Sequence, residues 1–457
     1  MKVSKFGGSS VANSEQIKKV VNIINSDDER KIVVVSAPGK RFKEDIKTTD
    51  LLIRLYEKVI NQLDYSNKLN QIVDRYEEIV TELNMDRSIL DEIKRHLLNL
   101  IDVYHDKPER LLDGLKSCGE DFNAQLIAQY NNQLGHPTRY LSPKEAGIIV
   151  TDEPGNAMIL ESSYENIYKL RDYDEKLIIP GFFGYSENDD IVTFPRGGSD
   201  ITGAILARGI KASLYENFTD VSGIFRANPT VVSQPEVIPE ITYREMRELS
   251  YAGFGVFHDE ALEPLYKDRI PVVIKNTNRP TDKGTYIVSE RNISHLSHIV
   301  SGVSCDKGFT IINVKKYLMN REVGFTRKVL SILEEENISI EHIPSGIDSI
   351  SIIMRSTQIK GKEERVLSKI RENIPVDELT IDYDLAILMI VGEGMNKAVG
   401  TAAGATAALS KRNVNLNMIN QGSSEISMMF GIDEQYSDIA VQAIYDEYFA
   451  NKTTQLA

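Results

Sequence analysis

The order of apolar patterns along the 457 residues predicts an α/β protein, with a mostly parallel sheet covered by helices on both faces and two small α+β units behind it. Two observations carry that prediction. Up to about residue 290, short β-rich runs alternate with helical patterns, and the last third of the chain contains an internal repeat. The opening run "KVSKF" is extended. "KIVVVSAP", "KLIIPGFFGY", "ASLYENFTD" and "PVVIKNT" each read as a buried or half-buried strand that ends in polar or glycine-bearing residues. "SDITGAILARGI" and "TYREMRELSYAG" are helices between them. From Asp50 to about His105, "LLIRLYEKVINQL", "NQIVDRYEEIVTEL" and "ILDEIKRHLLNLIDVY" repeat apolar residues at three- and four-residue spacing, a helical excursion expected to form a small bundle on one edge.

The repeat pairs "GFTRKVLSILEEENISIEHIPSGIDSISIIM", from Gly324, with "GTAAGATAALSKRNVNLNMINQGSSEISMMF", from Gly400. Gly324/Gly400, Leu333/Leu409 and Asn337/Asn413 are among the identical pairs. Each copy reads as strand, glycine loop, helix, Asn-terminated turn and two strands, with Asn suited to the left-handed position after a helix.

A chain this long exceeds one core, so two to four domains are expected. There are 67 acidic and 53 basic side chains, a net charge of −14, which disfavours nucleic-acid binding and requires cations to be concentrated locally around any nucleotide. No apolar run reaches membrane length, and the first residues lack a secretory core. Cys118 and Cys305 fit no metal spacing; a reducing, cytoplasmic setting is expected.

Chemistry-bearing residues gather at strand-to-helix turns. Lys5 closes the first strand, and Gly7, Gly8 and Ser9 lead into a helix beginning near Asn13 or Ser14. Bare backbone there lets amides approach a phosphate, and Lys5 adds a point charge. A tight turn is the plain alternative. In "TFPRGGSDITGAILA", Arg196, two glycines, Ser199 and Asp200 again sit between strand and helix; capping explains Ser199 or Asp200 but not the whole set. Two such loops, each with its own cation, suggest two anionic ligands face to face and phosphoryl transfer between them. Glu120 follows Gly119 at an expected helix start, and Thr219 and Asp220 end a strand where a nucleotide could be gripped. "GEGMNKAVGTAAG" is read as part of the repeat fold, and His295 and His298 as linker residues without a third metal ligand.

"KFGGSSVAN", "VVVSAP", "GEDFNAQLIA", "RGGSDITGAILA" and "TDVSGIF", in that order and followed by a tandem repeat, resemble the aspartate kinases of the amino-acid kinase superfamily with C-terminal ACT units of ferredoxin-like fold. The resemblance covers essentially the whole chain. It implies a catalytic domain over 1–296 and a regulatory region over 297–457, with 307–383 as the first ACT unit and about 298–306 plus 384–457 as the second. It implies transfer of phosphate from ATP, with Mg2+, to the β-carboxylate of L-aspartate, the first step toward lysine, threonine and methionine. Lys5 and Asp200 would then be catalytic. Ser36, Thr49, Glu120, Arg196 and Ser199 would hold aspartate, and Gly7, Gly8, Ser9, Thr219, Asp220 and Phe225 would contact ATP together with Lys5. No protein-held metal site is implied.

The chain departs from the family pattern at Phe225, at Thr230, at Gly255 (where a lysine is usual) and in the longer loop "SAPGKRFKEDIKTT". Lys275 is the expected replacement for the lost charge. Met319, Phe325, Ser345 and Asp348 are the expected contacts for an amino-acid effector, lysine and/or threonine, and ACT pairing implies a homodimer or a dimer of dimers. Another carboxylate-phosphorylating amino-acid kinase, or a catalytically silent amino-acid sensor, is the alternative.

Overall fold

The computed structural model describes residues 1–457 except 196, 255, 256, 258, 292–296, 397, 423, 425 and 451–457. The backbone falls into two compact units. One comprises Met1–Ile224, Val237–Arg247 and Gly255–Arg291, and the other Phe225–Glu236, Glu248–Phe254 and Asn292–Ala457.

The first unit is built on an eight-stranded sheet. In chain order its strands are β1 (Lys2–Phe6), β2 (Arg30–Val35), β3 (Thr138–Tyr140) and β4 (Lys176–Pro180), with a separate hairpin β5 (Phe183–Tyr185) and β6 (Ile191–Thr193), then β7 (Leu214–Thr219), β8 (Glu240–Thr242), β9 (Val272–Asn276) and β10 (Thr285–Val288). The spatial order is β3-β4-β2-β1-β7-β9-β10-β8, and every pairing is parallel except β9 with β10. Val3, Ile32, Val33, Val34, Ile178, Ile179 and Tyr215 are fully buried, as strands covered on both faces require. The helices of this unit include α1 (Ser14–Asn25), α2 (Thr48–Ile60), α3 (Ser66–Glu82), α4 (Ser88–Tyr104), α5 (Pro108–Gln133), α6 (Ser163–Tyr168) and α7 (Gly198–Gly209). Asn13 caps α1, its Oδ1 accepting from the Gln16 N–H at 3.0 Å. The excursion is α2, α3 and α4, whose apolar stripes share a core with α5 and with Ile17, Val20 and Val21 of α1. Glu120 lies well inside α5, not at its start, because Pro108 begins the helix three turns earlier.

In the second unit, β11 (Gly302–Lys315), β12 (Ser349–Arg355), β13 (Glu378–Val391), β14 (Met418–Gln421) and β15 (Ser427–Asp433) form an antiparallel sheet in the order β12-β11-β13-β15-β14. The long β11 and β13 run through both halves of it, and a register irregularity near Gly308 separates the portion paired with Ile387–Val391 from the portion paired with Glu378–Asp382. The two copies of the repeat share their turn chemistry: Gly324 and Gly400 precede their helices with φ of 78° and 93°, and Asn337 and Asn413 follow them with φ of 52° and 54°. Only the second copy completes its penultimate strand, as β14; the first has isolated bridges at His342 and Ser345.

The expected boundary at 296/297 differs from these units. Segments 225–236 and 248–254 cluster with the second unit because their partners are there. The Arg226 guanidinium donates to the Ser301 carbonyl at 3.0 Å, and Ala227 and Val232 are buried in one core with Val300, Val303 and Leu388.

Candidate active site

The site lies at the carboxyl ends of β1, β2 and β7, where a parallel sheet leaves strand-to-helix turns open. Lys5 and Asn217 are register partners on adjacent strands, so their side chains share a face. That face is covered by α7, and Asp200 in its first turn completes a buried triad. The Lys5 Nζ is 2.5 Å from the Asp200 Oδ1, which also accepts from the Asn217 Nδ2 at 2.7 Å. A charge pair this dry is held in one geometry only when its hydrogen bonds are supplied, and Asn217 supplies one. The Lys5–Asp200 pair brings the two glycine loops together, and a Cβ on Gly7 would lie 3.6 Å from the Lys5 Nζ.

Gly8 is packed backbone to backbone against the turn after β2: the Gly39 N–H donates to the Gly8 carbonyl at 2.8 Å. Ser9 is exposed at the loop's outer edge. The Ser36 N–H donates to the Phe6 carbonyl at 3.1 Å, and its own carbonyl accepts from the Asn123 Nδ2 at 2.7 Å. Gly119 allows α5 to touch this turn, a Cβ there lying 2.7 Å from that of Ala37. One turn position on, Glu120 is buried and its Oε2 has no hydrogen-bond partner. Burial pushes its carboxyl up to about 8, tempered by the Ala37 N–H and by the charges of Lys116 and Lys5. The Thr48 hydroxyl and the Asn123 Oδ1 are likewise buried without partners. The Thr48 N–H donates to the Pro38 carbonyl at 3.2 Å. Three unsatisfied polar atoms around one turn mark a pocket built for a polar ligand.

At the start of α7, Gly197 adopts φ of 76°, and Ser199 is packed on Gly181, whose Cβ would lie 2.6 Å from the Ser199 Oγ. Phe182 beside it holds φ of 78°, unusual for an aromatic residue. Its amide donates to the Thr202 Oγ1 at 2.9 Å, its carbonyl accepts from the Phe194 amide at 2.8 Å, and Lys116 lies over its ring. At the end of β7, the Thr219 carbonyl accepts from the Thr277 amide, and the Asp220 carbonyl from the Asn276 Nδ2.

Of the residues expected from sequence, Lys5, Gly7, Gly8, Asp200 and Ser199 line this convergence, with Ser36 and Glu120 on its α5 side, Thr219 and Asp220 at the neighbouring strand end, and Thr49 in the first turn of α2. Lys275 is not among them. Its register partner is Phe218, so it shares the opposite face with Ser4 and Glu216, where burial lowers its pKa. Phe225 belongs to the second unit. Arg196, Gly255 and His295 lie outside the described residues. Asn217, Thr48, Asn123 and Gly39 were not expected. Asn217 had a signal, two adjacent polar residues inside the buried run "LYENFT", and Gly39 had another in "PGK". The effector candidates divide: the side chains of Met319 and Phe325 are in the core of the first repeat, and their amides donate to the Lys316 and Glu322 carbonyls. Ser345 is exposed, and the Asp348 Oδ1 accepts from the Leu318 N–H at 2.8 Å.

Residues 1–276 match the amino acid kinase family and residues 388–448 an ACT domain. The chain belongs to the amino acid kinase family, with a C-terminal ACT module. Its resemblance is also narrower. Aspartokinase 3 of Bacillus subtilis is 51% identical over 98% of this chain and 99% of its own length. The Clostridium acetobutylicum aspartate kinase structure superposes with a TM-score of 0.85 at 40% identity, covering 98% and 100% of the two chains. Escherichia coli aspartokinase III, solved with aspartate and ADP, gives 0.78 at 26%, covering 98% and 99%. Within the family the chain is an aspartate kinase, an ATP-using phosphotransferase with a carboxyl group as acceptor.

Proposed function

We propose that this chain catalyses phosphorylation of the L-aspartate β-carboxylate, giving 4-phospho-L-aspartate and ADP, and that an amino acid bound to its ACT units inhibits it. The observation that carries the chemistry is the buried Lys5–Asp200–Asn217 triad beside a glycine loop. A carboxylate oxygen of aspartate attacks the γ-phosphorus, the new O–P bond forms as the bond to the bridging oxygen breaks, and ADP leaves with that electron pair. The nucleophile is ionised near neutral pH and needs no general base. The obstacle is repulsion between carboxylate and phosphate. Lys5 offsets it, held by Asp200 so that its ammonium points at the transferring group, while the amides of Gly8 and Ser9 receive phosphate oxygens; the Gly7 amide, expected to join them, already donates to the Phe218 carbonyl at 3.0 Å. Arg196, Ser36, Thr49 and Ser199 grip the substrate, and Glu120 takes its ammonium. Thr219 and Asp220 hold the nucleotide.

A Mg2+ bound with the nucleotide would spread the charge of its phosphates. Asp200, at the Lys5 end of the site, is the carboxylate that would join the phosphate oxygens in holding it.

The Escherichia coli enzyme solved with lysine and aspartate supports lysine as the effector, alone or with threonine. Met319, Phe325, Ser345 and Asp348 are the proposed contacts. The strand exchange through β11 and β13 supports two ACT units, of about 307–383 and 298–306 plus 384–457, that pair between copies in a homodimer or dimer of dimers. No helix among the described residues is long and apolar enough to cross a membrane, and we place the enzyme in the cytoplasm, at the head of lysine, threonine and methionine synthesis. ADP release with ATP and aspartate, glutamate or N-acetylglutamate tests the reading. Turnover with aspartate alone, suppressed by added lysine or threonine, is the expected result. Preference for another acid, or silence with all three, rejects it.

A further inference from the structure

We propose that Arg75, on α3 of the helical excursion, is a positioning residue for phosphoryl transfer that fixes the phosphate loop through the turn at Gly39. Its guanidinium is 3% exposed and reaches across from the excursion into the loop after β2. One terminal nitrogen donates to the Asp45 Oδ2 at 2.5 Å and the other to the Gly39 carbonyl oxygen. Asp45 also accepts from the Arg41 amide at 2.9 Å and from the Arg41 Nε and Nη2 at 2.9 and 3.0 Å, and Arg41 pairs in turn with Glu78 of the same helix. Arg75 therefore grips both ends of the 39–45 segment, and Glu78, one turn on in α3, holds Arg41 between them. The Arg75 Nε is buried without a partner. A buried ion pair with one N–H unsatisfied contributes little to stability, and what the guanidinium supplies is a fixed spacing between Asp45 and the Gly39 carbonyl.

That geometry passes directly to the nucleotide side. Besides the Gly39-to-Gly8 hydrogen bond, a Cβ built on Gly39 would lie 2.5 Å from the Gly8 carbonyl carbon and 2.8 Å from the Ser9 nitrogen. No side chain stands between them to absorb a shift, so the Gly8–Ser9 peptide follows Gly39. On the aspartate side Ser36 has separate anchors in the Phe6 carbonyl and Asn123, and only the Thr48 amide hangs on Pro38 beside Gly39. Loss of Arg75 should then damage ATP use far more than aspartate binding, which a general loosening of the fold would not do.

The inference rests on the phosphate-loop reading above, and the experiment separates the two. Arg75→Met fills the same volume and leaves Asp45 paired with Arg41. Its kcat/KM for ATP should fall about ten- to a hundredfold, the scale of a misplacement near one ångström, while KM for aspartate stays within about twofold. Arg75→Lys keeps the charge but cannot serve Asp45 and Gly39 together, so its loss should have the same sign and a smaller size. It also covers the case in which the methionine variant does not fold. Equal changes for both substrates, or a folded lysine variant with unchanged ATP kinetics, overturn the positioning role. Gly8→Ala is the control for the loop. If it lowers kcat/KM for ATP while both Arg75 variants match wild type, only the clamp fails; if Gly8→Ala is itself neutral toward ATP, the loop reading fails and the clamp with it.

Discussion

Glu120 shows how one buried carboxyl can trade stability for binding. Its pKa is raised from the ordinary 4.5 to about 8 because burial removes water and leaves one oxygen unpartnered. Between those two values the unfolded chain has lost the proton and the folded chain keeps it, so folding stability falls as pH rises through that window. Glu120→Gln removes the dependence, and should be more stable than wild type at pH 7 to 8 by about 3–4 kcal/mol, with the gain vanishing near pH 4. Denaturant titrations at several pH values check this. In the proposed complex the substrate's ammonium stabilises the ionised form. KM for aspartate should therefore fall as pH approaches 8 and level off above it. In Glu120→Gln, KM should be raised at every pH and lose that slope. A wild-type KM flat from pH 6 to 9 would remove Glu120 from the ammonium's partners.

The elements were legible wherever hydrophobic period and turn chemistry agreed. β2, β4 and β9 stood out as apolar runs, β7 as a β-rich run broken by Glu216 and Asn217, and the Asn337 and Asn413 turns as left-handed stops. What the period could not give was where a helix begins: α5 opens at Pro108, so Glu120 faces the site from mid-helix and not from a helix end. Neither could it say which face of a strand a residue joins the site from, and Lys275 was misplaced for that reason. Arg75 is an intermediate case. It falls on the stripe of Leu69, Ile72, Tyr76 and Ile79, a charge on an apolar face, and that anomaly is visible in the sequence although its partners are not. Gly119 is the clearest element-level constraint, because α5 meets the Ser36–Ala37 turn there without a side chain between them. Gly119→Ala adds helix propensity but places a methyl 2.7 Å from the Ala37 Cβ. Overpacking of this kind costs about 1–3 kcal/mol. We expect a lower unfolding midpoint together with a raised KM for aspartate, since the displaced turn carries Ser36. A variant more stable than wild type, with unaltered KM, would mean the turn yields freely.

For the whole molecule, the sequence boundary and the physical one differ, and the difference is testable. A cut after residue 296 follows the apparent end of the α/β pattern, yet it strips 225–236 and 248–254 of the surfaces they fold against. In the intact chain Arg226 is 5% exposed and donates to the carbonyl of Ser301, and the Ser304 hydroxyl donates to the carbonyl of Ala252. Ala227 and Val232 share a core with Val300, Val303, Ala386 and Leu388. Sequence period could not reveal this, because both segments are short and their partners lie more than fifty residues away along the chain. A 1–296 fragment would keep the Arg226–Glu236 pair but lose the Ser301 carbonyl and uncover the apolar strip of Ala227 and Val232, which favours aggregation over folding. Expressed alone, it should be largely insoluble or unfold well below the full chain in calorimetry. Arg226→Met with the chain otherwise intact should soften that contrast only slightly, since the apolar contacts remain. If the fragment instead unfolds cooperatively at the temperature of the first transition of the full chain, then 225–236 and 248–254 belong energetically to the catalytic unit. The second unit would then be a passenger that can be removed without cost to the fold, and its influence on catalysis would have to come through bound effector alone.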